Sequence, residues 1–423
     1  MDCAGTRNSP SPLRCRGVIV PAVLAARRAI SIAGCALVVV LLSVSFASSV
    51  SAQNAAAPQP EPKKHRAVEV TQDGQAVLRE DGRVVAFKNT AKDGGPVLIE
   101  GLTDIVDISG VARDMRNLEL VGVASWIALR PDGSVYQWIG SCAEDENTNC
   151  RYSRAVKVAG LSNITAISSS FGTHLALDRE GQVWGWGWDN NGLLTGATYP
   201  MVTPKLALLK SPVRIPVPVA LQWVSIENLA GIGIDRAGGV WTWGTPDRPY
   251  AQPADNQAVA AGQMVFRKAG GVPPARAATT QGQTYVVTEN DELWLWGIVK
   301  RNGSEPFGTR QPHKVDGICP VSSVSVTSGI VAVLCRDGSI YREIWPGTAV
   351  YPPCLSCKDR IVTEEKWEQV PFLSMLRRLH LSDWGYGLAL IDRVGNAYRF
   401  DGAEPGSLFR PLEQLEGPLG LGR

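Results

Sequence analysis

The sequence predicts an all-β fold, a seven-bladed β-propeller in which one small sheet is repeated around a ring. Three observations predict it. A short pattern of turn Gly, any residue, aliphatic, aromatic, any residue, aromatic recurs seven times, counting two degenerate copies. A second apolar run stands ahead of each copy, across hairpin-turn chemistry. The mean spacing is about 52 residues, within the range of propeller blades and other repeat arrays.

The clearest copies are Gly133-Ser-Val-Tyr136-Gln-Trp138, Gly181-Gln-Val-Trp184-Gly-Trp186 and Gly238-Gly-Val-Trp241-Thr-Trp243. Asp replaces Gly in Asp291-Glu-Leu-Trp294-Leu-Trp296, and Gly395-Asn-Ala-Tyr398-Arg-Phe400 ends the series. Gly82 to Phe87 and Gly338 to Glu343 are the degenerate copies. The runs ahead of them include Trp126-Ile-Ala-Leu129, Leu175-Ala-Leu177 and Tyr285-Val-Val287, joined through Pro-Asp-Gly, Arg-Glu-Gly or a relative. Alternating runs such as Ile164-Thr-Ala-Ile-Ser168 lie further upstream. Each unit therefore supplies at least three short antiparallel strands. Such sheets carry apolar seams on both faces and must stack; seven stacked radially close into a propeller. Closure pairs the two ends of the repeat array, Ala67-Val-Glu-Val70 and Leu408-Phe-Arg-Pro-Leu412, in one blade, which leaves no open edge.

Composition agrees with this fold and narrows the function. Among 423 residues, 13 Trp, 43 Gly and 28 Pro suit many short strands and turns rather than long helices. A net charge of +2 gives no long-range field towards nucleic acid, so no nucleic-acid partner is expected. Arg14, Arg16, Arg27 and Arg28 precede an apolar run over residues 29–46, and Val50-Ser51-Ala52 offers a small-residue cleavage site. Residues 1–52 read as a signal peptide, or as a membrane anchor if uncleaved. Residues 53–66 read as a Pro/Ala-rich linker, and 67–423 as the propeller. The expected location is periplasmic or secreted. A membrane contact is expected only if the leader is retained. Six cysteines beyond the leader, an even number, fit an oxidising compartment.

The units resemble repeats of the regulator of chromosome condensation family. Leu175-Ala-Leu-Asp-Arg-Glu-Gly-Gln-Val-Trp-Gly-Trp-Gly187 carries the resemblance, and Asp189-Asn-Asn-Gly-Leu193 is similar to the loop that follows in that family. The likeness spans roughly Ala67 to Leu412. It implies a propeller that serves as a protein-binding platform, in a family that hosts many roles. It also implies a structural part for His174, at a place where the family often has His.

Several candidate sites follow from the residues themselves. Trp184/Trp186, Trp241/Trp243 and Trp294/Trp296 share one face of their strands, and their recurrence points to packing between blades rather than a stacking platform. Cys142 and Cys150 close an acidic loop as a candidate disulfide. Cys319 and Cys335 should face each other across a hairpin, and Cys354 and Cys357 read as a structural bridge in a loop after Tyr351-Pro-Pro. No metal, cofactor or catalytic constellation is expected. The long connections after the second aromatic are Ser141–Arg154, Asp189–Pro212, Thr245–Val265, Ile298–His313 and Pro346–Gln369. They occupy one repeat position and should share one face, where Trp188, Tyr199, Tyr250, Phe307, Tyr351 and Trp367 are candidate binding residues or covers of the blade rim. The reading is an exported, non-enzymatic binding module for a protein, or for a cell-envelope polymer. A glycan hydrolase or lyase with residues scattered over the same face is the alternative, as is an anchored assembly factor. Acidic residues gathered at the mouth of the central channel would favour the enzyme.

Overall fold

The computed structural model describes residues 65–71, 75–87, 96–111, 123–141, 151–170, 172–189, 192–196, 208–227, 230–244, 264–281, 283–299, 307–327, 330–344, 349–350, 360–361, 366–370, 376–381 and 387–401. Residues 1–64, with the segment expected to be a leader and most of the expected linker, lie outside them.

Seven antiparallel sheets follow one another along the chain: blade 1 over residues 67–98, blade 2 over 107–157, blade 3 over 164–215, blade 4 over 221–268, blade 5 over 275–314, blade 6 over 321–369 and blade 7 over 376–401. Within a blade the strands lie side by side in chain order. The first strands are Ala67–Val70, Asp107–Val111, Ile164–Ser170, Leu221–Glu227, Ala275–Gln281, Val321–Thr327 and Leu376–Leu381. Each contacts the first strands of both neighbouring blades, and Leu376–Leu381 returns to Ala67–Val70. That circuit closes the ring and sets the first strands around its axis.

The turn that sequence marks with Gly does more than reverse the chain. In all seven blades its carbonyl accepts a backbone N–H at the start of the next blade, at 2.8–3.3 Å. The pairs are Ile105 to Gly82, Ile164 to Gly133, Leu221 to Gly181, Ala275 to Gly238, Val321 to Asp291, Leu376 to Gly338, and Ala67 to Gly395. The acceptor residue sits in the left-handed region each time, with φ between 61° and 95°. Glycine suits this twice over. It has no penalty for that φ, and a Cβ at Gly181 would lie 2.7 Å from the Leu221 carbonyl oxygen.

The aromatic positions pack as expected. Trp138, Trp186, Trp243 and Trp296 are almost wholly buried, while Trp184, Trp241 and Trp294 are half-buried on the same strands. Trp243 of blade 4 joins Leu175, Leu177 and Val183 of blade 3 in one apolar cluster with Leu221 and Val224. The half-buried indoles hold the hairpin turn. Trp184 donates to Asp178 at 3.0 Å and Trp241 to Asp235 at 2.9 Å, while the same carboxylates accept the N–H groups of Gln182 and Gly239.

One expectation needs correction. Several blades have four strands, and the fourth occupies part of the supposed long loops, as Leu208–Ile215, Phe307–Lys314 and Lys366–Gln369. These strands mix polar and apolar residues without regular alternation, and Pro212 sits in one of them; an outer strand tolerates this. Blade 1 holds four strands within residues 67–98. Blade 7 meets blade 1 face to face, burying Ala389, Ile391 and Ala397 against Ala67, Val70, Val77 and Val85. Residues 408–412 lie outside the described residues.

Gly317 provides a control for the turn contact, since its φ is +75° but a Cβ added there would meet nothing within 4 Å. Gly317→Ala should cost about 1–2 kcal/mol for the left-handed backbone alone. Gly181→Ala should cost at least about 1 kcal/mol more, because the added carbon also meets the next blade. Urea unfolding of both variants measures this, and equal losses would contradict the role given to the turn.

Candidate functional face and buried polar groups

Strand direction decides where the long connections emerge. Because every blade runs first, second and third strand in the same antiparallel order, all third strands travel away from the Gly turns. In blades 2 to 6 they end at Ser141, Trp188, Gly244, Val299 and Ile344, on the face opposite those turns. The fourth strands start on that same face, so both ends of each intervening connection lie there.

The candidate aromatics divide by position. Trp188 ends the third strand of blade 3 and is half-buried; its N–H bonds the Gly172 carbonyl at 3.0 Å, and its carbonyl accepts the Thr173 hydroxyl. It thereby closes the hairpin between the first and second strands. Beyond it, the buried Asp189 carboxylate accepts the Leu194 N–H at 2.8 Å and the Thr195 hydroxyl. This folds Leu193 and Leu194 into the core, a role that sequence reasoning missed although the Asp-x-x-Gly-Leu spacing was visible. Trp367 lies in the outer strand of blade 6, opposite Glu343, and packs on the cluster containing Val331 and Val333. Phe307 opens the outer strand of blade 5, opposite Val299. Tyr199, Tyr250 and Tyr351 lie outside the described residues.

Cys319 and Cys335 form a disulfide with Cα atoms 5.8 Å apart. Cys335 ends the second strand at the repeat position of Asp178 and Asp235, so the bridge ties the strand entrance where other blades use a carboxylate. Cys142, Cys150, Cys354 and Cys357 lie outside the described residues.

Two polar clusters that join blades, the first of them centred on a fully buried group, were not legible in the sequence. In the first, His174 is fully buried between blades 2 and 3. Its Nε2 lies 3.1 Å from the Ser125 hydroxyl and its Nδ1 lies 2.7 Å from the Ser169 hydroxyl. Gln137 donates to Ser125 and accepts the Trp186 indole N–H. The Ser125–His174 spacing is that of a nucleophile and base, but burial pushes the imidazole down to about 3. So weak a base does not activate a hydroxyl at neutral pH; the hydrogen bonds of His174, Ser125, Gln137 and Trp186 tie blade 3 to blade 2.

The second cluster lies on the axis wall. Glu69 of blade 1 takes Arg378 Nε at 2.9 Å and His380 Nε2 at 3.1 Å, both from blade 7. Burial raises the Glu69 carboxyl, but the His380 and Arg378 contacts outweigh it and bring the value down to about 2. Asp107 of blade 2 stands at the equivalent repeat position, and burial, then the Glu69 charge, raises it to about 7. Acidic groups do therefore gather on the axis, yet Glu69 is already engaged by two basic side chains. Among the described residues no set of His, Cys, Asp or Glu is arranged to hold a metal ion.

With the fold and these groups in place, comparison with known proteins is informative. Residues 164–193 match the Regulator of chromosome condensation (RCC1) repeat. Yeast RCC1 (Prp20), solved bound to Kap60, superposes with a TM-score of 0.51 at 15% identity over 73% of each chain. The chain has a seven-bladed β-propeller fold, which it shares with this neighbour. It is also 24% identical over 269 residues, 61% of its length, to the E3 ubiquitin-protein ligase HERC2 of mouse and of human. It spans only about 5% of the length of those relatives.

The His174 cluster sets a pH dependence. A buried neutral imidazole has a folded value below its ordinary 6.5, so its contribution is complete above that value and is lost as pH falls towards about 3. His174→Gln should lower the unfolding temperature at pH 7.5, and the gap to the unaltered protein should narrow steadily by pH 4. Parallel thermal unfolding curves across that range would contradict this assignment.

Proposed function

We propose that the chain is an exported, non-enzymatic module that binds a protein partner through the face carrying its long connections. The observation that carries this reading is the common exit of the third strands of blades 2 to 6, which brings five connections to one side of a closed ring. A rigid scaffold with long loops on one side suits recognition, because the loops vary while the frame holds their ends. The internal satisfaction of Glu69 by Arg378 and His380 supports binding over glycan hydrolysis, which needs a free pair of carboxyls across the substrate. The solved neighbour, yeast RCC1, is itself seen with a protein, Kap60. The leader and the Cys319–Cys335 bridge support work in an oxidising compartment, periplasmic or secreted.

Capture from a periplasmic or secreted extract on immobilised full-length protein tests the reading. Replacing residues 142–150, 197–207, 245–263, 300–306 and 345–365 by short Gly-Ser linkers should reduce recovery of the partner at least tenfold and leave the unfolding temperature close to that of the unaltered chain. Undiminished capture after loss of every long connection would overturn it.

A further inference from the structure

We propose that the outer rim of blades 2 to 5 is a docking surface for an acidic polysaccharide, a linear chain whose sugars carry carboxylates. In each of these blades the outer strand supplies one cation beside one aromatic of the third strand. The Cα partners are Lys157 with Tyr136, Arg214 with Trp184, Lys268 with Trp241 and Lys314 with Trp294. Residues directly opposite in an antiparallel pair send their side chains to the same face of the sheet, so each cation stands by its aromatic. All four cations are exposed and all four aromatics are half-buried. Lys268 Nζ lies 5.8 Å from the Trp241 ring centre. The array stops at the neighbouring blades, where Leu98 faces Val85 and Gln369 faces Tyr341.

Charge selects the partner. The whole chain is nearly balanced, with 42 basic and 40 acidic residues, yet residues 151–157, 208–215, 265–268 and 307–314 hold Lys or Arg in every segment and no Asp or Glu. Arg154, Lys157, Lys210, Arg214 and Arg267 enter no ion pair among the described residues. Two acids reach the band from the hairpin turns: Asp235 takes Lys268 at 3.3 Å and Glu292 takes Lys314 at 2.7 Å. Both lysines are exposed, and exposed ion pairs are weak, so an incoming carboxylate can share them. A row of cations of this kind suits a polyanion. The rim is the convex edge of a closed ring, which a flexible chain can wrap, whereas bending a DNA duplex round it costs elastic energy. The aromatics favour sugar over polyphosphate. Part of each ring stays open, and a sugar lays on it a C–H face that a phosphate chain lacks. The rim is separate from the face of the long connections, so loss of binding at one leaves the other intact.

Titration of the full chain with polygalacturonate, a linear polyuronate, at about 50 mM salt tests the rim. Binding is expected, and it should weaken steeply as salt rises, because bound counterions are released. Lys157→Gln, Arg214→Gln, Lys268→Gln and Lys314→Gln together should lower affinity at least about tenfold. Arg83→Gln, Arg179→Gln, Arg236→Gln and Arg393→Gln remove the same charge from the turn face, where all four arginines are exposed. That second variant should change affinity less than about twofold. Should the rim variant not fold, Lys157→Gln with Arg214→Gln breaks no ion pair and should still cost at least about threefold. Absence of binding, or an equal loss in the two fourfold variants, would overturn the proposal. So would polyglutamate bound as tightly as polygalacturonate, which would point to an acidic peptide.

Discussion

The contact on which the ring depends is the hydrogen bond from the leading N–H of each blade to the turn carbonyl of the blade before it. It occurs seven times, the last between Ala67 and Gly395, residues at opposite ends of the array. One such bond is worth only about 0.5–1.5 kcal/mol net, so its importance is positional. It fixes how far one blade stands from the next, and six of the seven first strands show a register irregularity just after it. The energy comes from the layer it aligns. Truncating a buried aromatic such as Trp243 or Trp296 to Ala costs about 3–5 kcal/mol in comparable cores.

Where the repeat departs from its pattern, another interaction takes over the same duty. Asp291 stands for Gly at one turn and adopts φ 61°, a conformation that Asp tolerates better than most residues. Its carboxylate then pairs with Arg336 of blade 6 at 2.6 Å and Arg276 of blade 5 at 3.1 Å, so the substitution adds a tie across the junction. Blade 6 lacks a second aromatic and has Glu343 there. The carboxylate is buried and accepts the Tyr285 hydroxyl at 2.7 Å from blade 5, exchanging a packing contact for a hydrogen bond. The Cys319–Cys335 bridge stiffens this same blade.

Much of the fold was legible because its constraints repeat. Turn glycines, paired aromatics and the register that set Cys319 against Cys335 all recur at fixed spacing, and each forbids most alternatives. The fourth strands were not legible, since an outer strand such as Leu208–Ile215 needs neither alternation nor a Pro-free sequence. The ionic contacts of the seam were not legible because their chemistry does not repeat. Glu69 and Asp107 occupy a position held elsewhere by Ala166, Trp223, Ala277, Ser323 and Arg378, so no pattern marks it. Of the candidate binding face, the sequence supplied the position of the connections. What it could not supply was the packing of Trp367 on the Val331 and Val333 cluster, which depends on neighbours remote in the chain.

Rigid closure also explains how such a chain can be a platform for recognition: the ring holds the loop ends, leaving loop sequence free to vary. Amide hydrogen exchange at Ala67 tests that closure most directly. A sealed ring predicts protection of the Ala67 N–H within about tenfold of its internal counterparts, Ile164 and Val321, since all three make the same bond and would open with the same global unfolding. Exchange at Ala67 as fast as in an exposed loop, with Ile164 and Val321 still protected, would show an open ring and contradict the account.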